Sequence, residues 1–383
     1  MIPSQRHLFD IPDSVAYFNC AYNSPMLKTT VESLIQGAHS KMRPWERTAQ
    51  SFFADAETVR VLAAELFGGC SDAYAVVPSA SYGLSAAARI IETVVHAGNK
   101  IVMMAEEFPS VVLPFRRVAR EVGAMISTVP TPHDGDWTSA LLTNIREGVK
   151  VVAISTCHWT NGAWLDLKAI GEKCREVGAI LVLDATQSLG VAPFSIEEVK
   201  PDFLVAAGYK WMLCPYGFSL FYASKKWWNA RPLEEVWLAR ENADDFAGLV
   251  KYNESYMPGA RRFEMGEKAI PTILPGAIDA LRQLMSWGVD EINQTLSIKN
   301  ERIKTHLRDL GFSMADDQLQ SRHMFGAQLP KYYQGNLVSQ LVENKIFISQ
   351  RGSALRFAPH LHVNEDDVDR LLETLSRVMR VEE

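Results

Sequence analysis

The middle of the chain, from about residue 75 to residue 225, alternates between short apolar runs and stretches whose apolar positions recur with a helical period. Such alternation is typical of βαβ units around a mostly parallel sheet. Several runs are apolar almost throughout, as strands covered on both faces require. We expect strands at 100–105, 124–129, 149–156, 179–184, 203–206 and 217–222, and helices near 82–97, 110–122, 137–147 and 167–177.

The flanking regions follow a different pattern, in which helical periods dominate. The segment 225–270 shows no clear period and is expected to contain long loops. Helices are predicted at 26–40, 56–68, 274–286, 289–310 and 365–380, and two short strands near 323–329 and 346–356.

The chain of 383 residues exceeds the size at which single hydrophobic cores stop growing, so two domains are expected. The patterns predict an α/β protein whose large domain, with a mostly parallel sheet, covers 15–260. A smaller α+β domain would cover 270–383, joined by the N-terminal segment 1–25.

Composition narrows the classes of partner. The net charge of −6 argues against nucleic acid or an anionic membrane as the main partner. No apolar run approaches the roughly 18 residues of a membrane span, and no secretion signal begins the chain. The five cysteines are an odd number, widely spread and without the spacing of a metal site, which predicts free thiols in a reducing cytoplasm and no bound metal.

Two charged residues stand just beyond predicted strands. Asp184 closes the apolar run 179–184, and Lys210 follows the run 203–206 after a short stretch of small residues. In an open α/β sheet, ligands bind beyond the carboxyl ends of the strands, so both residues would face one crevice. A lysine that forms a Schiff base and an aspartate that pairs with a pyridinium nitrogen are the groups a pyridoxal phosphate (PLP) enzyme needs. Taken alone, Lys210 would be read as a surface lysine.

A third motif supports this interpretation. The segment Val76-Val77-Pro78-Ser79-Ala80-Ser81-Tyr82-Gly83 leads into the predicted helix at 82–97, so its small residues lie at a helix N-terminus. An anion such as a phosphate is stabilised there by free amides and the helix dipole. The alternative is an ordinary serine N-cap with no ligand.

With these motifs the chain resembles fold-type I PLP enzymes of the class V aminotransferase group. That group also holds cysteine desulfurases, kynureninases and isopenicillin N epimerase-like proteins. The resemblance runs from about Tyr17 to Arg370. It implies the fold-type I transferase fold, PLP as the cofactor, an amino acid or keto acid as the small-molecule partner, and a homodimer with cofactor sites near the subunit interface.

The resemblance also implies roles for individual residues. Lys210 and Asp184 would be catalytic, the first as Schiff-base lysine and general base, the second as partner of the ring nitrogen. Arg356 would grip the substrate carboxylate with two hydrogen bonds, and Asn23 would close the same pocket. Arg351 is interpreted as a surface residue rather than a second anion contact. The cofactor-binding residues implied are Ala80, Ser81 and Tyr82 at the phosphate, Phe108 stacked on the ring, Asn161 and Gln187 at the pyridine oxygen, and Asp184, Tyr209 and Lys210.

Three positions depart from the group's common pattern. Tyr209 stands where many members have histidine, although kynureninase-like members have tyrosine, whose hydroxyl can reach the phosphate. Ala207 replaces a phosphate-binding serine. Glu267 replaces a threonine that other members send to the neighbouring subunit's phosphate, and a carboxylate there would repel the phosphate.

The motifs define shared chemistry and leave the reaction open. We expect a class V aminotransferase acting on a small or medium amino acid, with a carbon–sulfur or carbon–carbon lyase as the alternative. Cysteine desulfurases carry a nucleophilic cysteine on a loop just before the carboxylate arginine, and the segment leading to Arg356 has neither. A non-catalytic PLP-binding protein is disfavoured because Lys210 and Asp184 are both present and no DNA-binding appendage is found.

Overall fold

The computed structural model describes residues 1–379 and shows a seven-stranded sheet, a three-stranded sheet and a two-stranded pair. The predicted helix 365–380 and domain 270–383 reach past this range, so their residues 380–383 lie outside the described residues. The helices are α1 Lys28–Met42, α2 Ser51–Phe67, α3 Ala80–Ile91, α4 Pro109–Val122, α5 Trp137–Asn144, α6 Leu167–Val177, α7 Ile196–Val199, α8 Leu274–Trp287, α9 Val289–Asp309, α10 Leu337–Glu343 and α11 Glu365–Val378. The strands are β1 Ala16–Tyr17, β2 Tyr74–Val77, β3 Lys100–Met104, β4 Met125–Val129, β5 Val149–Ser155, β6 Ile180–Asp184, β7 Phe203–Ala207, β8 Ser219–Ala223, β9 Phe325–Gln328, β10 Ile346–Phe347, β11 Ser349–Arg351 and β12 Ala354–Phe357.

The large sheet has the strand order β2-β8-β7-β6-β5-β3-β4. Five neighbouring strands, from β7 to β4, run parallel, and β8 pairs antiparallel with both β7 and β2. Buried side chains fill both faces of this sheet, which explains why its strands are apolar almost throughout. The predicted α/β fold with a mostly parallel sheet is confirmed.

The parallel pairing brings the carboxyl ends of β5, β6 and β7 to one edge. Ser155 at the end of β5 is the register partner of Asp184 at the end of β6, and Asp184 is in turn the partner of Val205 on β7. The N-terminus of α3 reaches the same edge because Gly83 lets the helix lie directly on the sheet. A Cβ at Gly83 would come within 2.9 Å of the Val205 side chain.

The smaller domain is built on the antiparallel sheet β11-β12-β9 with α10, α11 and part of α9. The N-terminal segment belongs to this unit, since β1 pairs in parallel with β10 and its Ala16 is buried in the same core. We keep the division near residues 260–270 as a proposal with one change. The buried side chains of α8, such as Leu281, lie in the core of the large domain, so the packing places that helix there.

Other differences from the predicted elements have simple causes. The strand β2 was not predicted because it has only four residues and is followed directly by Pro78. The single strand predicted at 346–356 is three short strands, because the chain reverses at Gly352, whose φ of 57° lies in the left-handed region. Among the described residues, no helix is both long and apolar enough to cross a membrane.

Candidate active site

A cavity of about 210 Å³ opens at the carboxyl edge of the large sheet. It is built from the N-terminus of α3 and the loops that follow β3, β5, β6 and β7. The lining residues are Pro78, Ser79, Ala80, Ser81, Phe108, Ser110, Ser155, Trp159, Asp184, Thr186, Gln187, Ala207, Tyr209, Lys210, Tyr216, Gly217 and Ser219.

Lys210 lies at the base of this cavity with only 8% of its surface exposed. Its Nζ is 5.7 Å from the centre of the Tyr209 ring and 5.8 Å from that of Phe108. Burial lowers the pKa of Lys210 to about 8, although the Asp184 carboxylate opposes that change, while Arg356 and Arg351 add to it. At pH 7 about a tenth of this amine is therefore uncharged and can act as a nucleophile or a base.

Asp184 is buried on the neighbouring strand. Its Oδ1 accepts a hydrogen bond of 2.9 Å from the Thr186 amide. Burial raises the pKa of Asp184, and the Thr186 hydrogen bonds and the Lys210 charge oppose that rise. Within the described residues no salt bridge neutralises this carboxylate. A buried acid facing a cavity is suited to a cationic partner, which the protonated nitrogen of a pyridine ring would supply.

The N-terminus of α3 forms one wall of the cavity. The hydroxyl of Ser79 caps the helix by accepting a hydrogen bond of 3.1 Å from the Tyr82 amide. Ala80 and Ser81 line the cavity, and the Ser81 and Ser110 hydroxyls are 2.7 Å apart. Tyr82 is not among the lining residues, because its amide is occupied by the cap and its hydroxyl bonds to Glu234. The wall fits a phosphate group through amides and hydroxyls of Ala80, Ser81 and Ser110.

Phe108 lines the cavity on a loop that is tightly held. Its ring meets the Trp159 ring edge to face, with centroids 5.4 Å apart. The Trp159 indole donates a hydrogen bond of 2.7 Å to the Glu106 carbonyl, where the backbone takes a φ of 54°. This loop fixes Phe108 where an aromatic ring can stack on a flat ligand.

Glu107 is a buried acid beside the site that sequence reasoning missed. Its carboxylate accepts hydrogen bonds from the Phe108 amide at 2.7 Å, from the Ser155 amide at 2.8 Å and from the Ser155 hydroxyl at 2.5 Å. Burial raises the pKa of Glu107 to about 7, although these hydrogen bonds oppose the change, and the nearby Asp184 charge adds to it. The only signal in the sequence is an acid directly before the predicted stacking phenylalanine.

Gln187 and Asn161 have their polar atoms engaged by protein groups. Gln187 lines the cavity, yet its Nε2 donates to the Ala21 carbonyl and its Oε1 accepts from the Trp211 indole at 2.9 Å. The Oδ1 of Asn161 accepts a hydrogen bond of 3.1 Å from the Ala163 amide, and Asn161 is not among the lining residues. Contacts of either residue with a pyridine oxygen stay predictions.

Asn23 and Tyr209 lie on segments that touch each other. The Ser24 amide and hydroxyl both donate to the Tyr209 carbonyl, which brings the exposed turn around Asn23 to the cavity edge. Tyr209 lines the cavity, and its ring centroid is 4.5 Å from that of Tyr216 at the mouth. Asn23 itself is not among the lining residues, so its role in closing the pocket stays a prediction.

Arg356 is buried on β12, with its Nη1 donating to the Trp159 carbonyl at 2.6 Å and its Nε donating to the Ser349 hydroxyl at 3.3 Å. Burial lowers the pKa of Arg356 to about 9, and Arg351 adds to this effect. Arg356 is not among the lining residues, but its guanidinium lies beside Trp159, which lines the cavity. Its contact with a substrate carboxylate stays a prediction.

The departures at Ala207 and Glu267 have different surroundings. Ala207 lines the cavity, and its amide donates to the Thr186 hydroxyl at 3.0 Å. Glu267 is exposed and follows Glu264, which is buried in ion pairs with Arg60 and Lys268. Glu267 does not line the cavity of its own chain.

Among the described residues, no cysteine lines the cavity. All five cysteines are free, and four of them are buried; burial raises the pKa of Cys157 to about 12. Cys70 is exposed, before the first residue of β2 and so at the edge of the sheet opposite the cavity. Within residues 1–379, no three His, Cys, Asp or Glu side chains are arranged to hold a metal ion.

The model of the family described as aminotransferase class V matches residues 23–371. The chain belongs to this family. As a member, it is a PLP-dependent enzyme, and the buried Lys210, the unpaired Asp184 and the α3 wall fit that cofactor. The predicted family and cofactor are confirmed.

Relatives in this family carry different activities in their names. A probable cysteine desulfurase from Pyrococcus abyssi is 24% identical over 93% of this chain and 89% of its own. An uncharacterized aminotransferase, YcbU of Bacillus subtilis, is 25% identical over 82% of this chain and 81% of its own. A mutant of C-DES, a cystine C–S lyase, with glycine covalently linked to its PLP cofactor, shares the fold with a TM-score of 0.87 and 19% identity, over 98% of this chain and 99% of its own.

Proposed function

We propose that this protein is an aminotransferase that moves an amino group between an amino acid and a keto acid. The observation that carries the proposal is a cavity in which Lys210 and Asp184 meet and no thiol is present on the wall. When bound, PLP would supply the electron sink that makes the Cα proton of an amino acid acidic. Asp184 would hold the ring nitrogen in its protonated form, and the Nζ of Lys210 would take the proton from Cα.

The hairpin that carries Arg356 argues against a desulfurase that uses its own cysteine. β11 and β12 are joined by a tight turn at Gly352, with no loop insertion and no cysteine between Ser349 and Arg356. The buried thiols of Cys157 and Cys214 have raised pKa values, which disfavours the thiolate that would accept a sulfur atom.

A carbon–sulfur lyase is the second candidate. Relatives named cysteine desulfurase and the fold shared with C-DES favour it. Elimination that leaves the sulfur on the departing product requires no protein thiol, so the buried cysteines do not oppose this reaction. The two candidates therefore share Lys210, Asp184 and Arg356 and differ in the need for an acceptor.

The experiment that separates them uses the cofactor-bound protein and one amino acid at a time. An aminotransferase converts about one equivalent of amino acid per site to keto acid, loses its yellow colour and stops until a keto acid is added. A lyase releases pyruvate or alanine continuously without an acceptor, and that outcome would replace our first proposal by the second. Borohydride reduction and peptide mapping should place the cofactor on Lys210; a label on another lysine would refute the site assignment.

We also propose that the active unit is a homodimer. Large apolar side chains are well exposed on the described surface, among them Tyr216 at the cavity mouth, Trp45, Val250 and Tyr252. Apolar side chains exposed together, as Val250 and Tyr252 are within one short segment, are typical of interaction surfaces. Elsewhere in the segment 225–270, Trp227 is buried in the core. Sedimentation that finds an active monomer at assay concentration would refute the proposal.

We also propose that the protein resides in a reducing cytoplasm. Its five cysteines are free, as predicted, and free thiols are typical of that compartment.

A further inference from the structure

Arg351 and Arg356 share one face of the β11–β12 hairpin. Arg351 is paired in register with Ala354, and Ser349 is paired with Arg356. Cross-strand partners lie on the same face, and so do residues two apart on one strand, so Arg351, Ala354 and Arg356 all point the same way. Such diagonal neighbours lie about 7–8 Å apart, which long side chains span. The hairpin thus presents two guanidiniums side by side.

Both guanidiniums lie next to Trp159, a residue of the cavity wall. The Nη1 of Arg356 donates to the Trp159 carbonyl at 2.6 Å, and the Cζ of Arg351 is 6.0 Å from the centre of the Trp159 ring. The charge of Arg351 also lowers the pKa of Lys210 and of Arg356, as expected of a cation close to both. Arg351 is not a lining residue of the cavity, but it is half-buried beside Trp159, a position that differs from its interpretation as a surface residue.

Neither arginine has an acidic partner. Among residues 1–379, no Asp or Glu lies within salt-bridge distance of Arg351 or Arg356. Within the part of the chain that the structure describes, the only hydrogen bond of the Arg351 guanidinium goes to the Gln350 carbonyl at 2.8 Å, which leaves donors free on its fork. A partly buried guanidinium without a counter-ion is suited to an anion from the ligand. The α-carboxylate of a substrate can pair with one of the two guanidiniums, which leaves the other without an anion.

We infer that Arg351 forms a second anion subsite, so that the substrate is an α-amino acid whose side chain carries its own anionic group. The inference rests on the proposed function, in which Arg356 holds the α-carboxylate. A side-chain carboxylate, sulfinate or sulfonate presents the same oxygens to a guanidinium, so aspartate, glutamate, cysteine sulfinate and cysteate form the substrate class. Trp159 separates this subsite from Phe108 and forms the wall along which the side chain of the substrate runs.

The first experiment measures binding without turnover. Malonate, succinate and glutarate are titrated into the cofactor-bound protein beside acetate, propionate and butyrate, and binding is followed by calorimetry. One of the dicarboxylates should bind at least about tenfold more tightly than the monocarboxylates, since a charge-assisted pair adds a second contact. The difference should disappear in Arg351→Gln and be partly kept in Arg351→Lys. Equal binding of mono- and dicarboxylates to the unchanged protein would overturn the inference.

The second experiment compares amino acids as substrates. For aspartate, glutamate, cysteine sulfinate and cysteate, Arg351→Gln should lower kcat/KM by about 10- to 100-fold for whichever of them is used. For alanine, which has no second anionic group, the loss should be clearly smaller than for the acidic amino acids. Gln350→Ala is the matched control, because Gln350 lies on the same strand but on the opposite, exposed face. A preference for carboxylates over sulfur oxyacids, or the reverse, identifies which anionic group the subsite receives.

The outcomes distinguish a failure of the second anion subsite from a failure of the proposed function. An equal loss for alanine and for the acidic amino acids in Arg351→Gln would show that Arg351 acts on the α-carboxylate or on folding, and would overturn the second subsite while the proposed function stands. If no amino acid alters the visible spectrum of the cofactor-bound protein, the proposed function fails, whereas the dicarboxylate titration still decides whether Arg351 binds a second anion.

Discussion

Replacement of Glu107 by glutamine keeps the shape of the side chain and removes its titration. The wild-type carboxylate accepts three hydrogen bonds, from the Phe108 amide, the Ser155 amide and the Ser155 hydroxyl. Burial nevertheless raises its pKa from the ordinary value of 4.5 to about 7. A difference of this size between the folded and unfolded protein corresponds to about 3 kcal/mol.

The sign of the effect follows from proton binding. Between pH 4.5 and pH 7 the folded protein keeps a proton on Glu107 that the unfolded chain has released. The stability due to this proton is complete below pH 4.5 and is lost as the pH rises through 7. The free energy of unfolding of the wild type, minus that of Glu107→Gln, should therefore fall by about 3 kcal/mol across this window.

The assay is urea unfolding of the cofactor-free protein at several pH values, followed by tryptophan fluorescence. Taking the difference between the two proteins cancels every other titrating group. Glu106→Gln is the matched control, because it removes a carboxylate from the neighbouring, exposed position. A difference for Glu107→Gln that does not change with pH would show that Glu107 is charged throughout and that the assignment of a buried, protonated carboxyl is wrong.

Three further predictions concern the cofactor and two buried histidines. Asp184→Asn should weaken PLP binding and lower turnover by about 10²–10³-fold, as visible titration and steady-state kinetics will report, and a variant within tenfold of the wild type would remove Asp184 from the ring. Glu267→Thr should tighten PLP binding because a carboxylate is removed from a position that the family directs to the partner's phosphate; looser binding would reveal a positive role of Glu267. Burial lowers the pKa of His323 to about 4 and that of His360 to about 3. The folded protein therefore keeps both rings neutral where the unfolded chain binds protons, so their contribution to the free energy of unfolding is complete above pH 6.5 and is lost as the pH falls towards 4. Fluorescence of Trp211, whose ring is 4.7 Å from that of His323, should change in that range, and an unchanged spectrum would contradict it.

The residues predicted best are those whose position follows from strand order. Asp184 and Lys210 were found because the ends of parallel strands meet at one edge whatever the side-chain rotamers are. Phe108 follows the same logic on β3. The family and the cofactor followed from these motifs taken together.

What the sequence could not predict depends on contacts between distant segments. Glu107 is bound by Ser155, and Trp159 bridges the Glu106 carbonyl and Arg356, so their roles exist only once β3, β5 and β12 are assembled. Arg351 was interpreted as a surface residue because the turn at Gly352, which sets it beside Arg356, was hidden inside one predicted strand.

The pairing of β1 with β10 joins two segments that lie far apart in the sequence and so sets an order of events during synthesis. The register partner of Ala16 is Ile346, which is made 330 residues later. At about 5–20 residues per second the first strand waits roughly 15–70 s for its partner. During this interval Phe18, fully buried in the finished protein, has no core to enter. The large domain can fold in the meantime, whereas the small domain, and with it both arginines of the proposed substrate site, is completed only after Ile346 has been made.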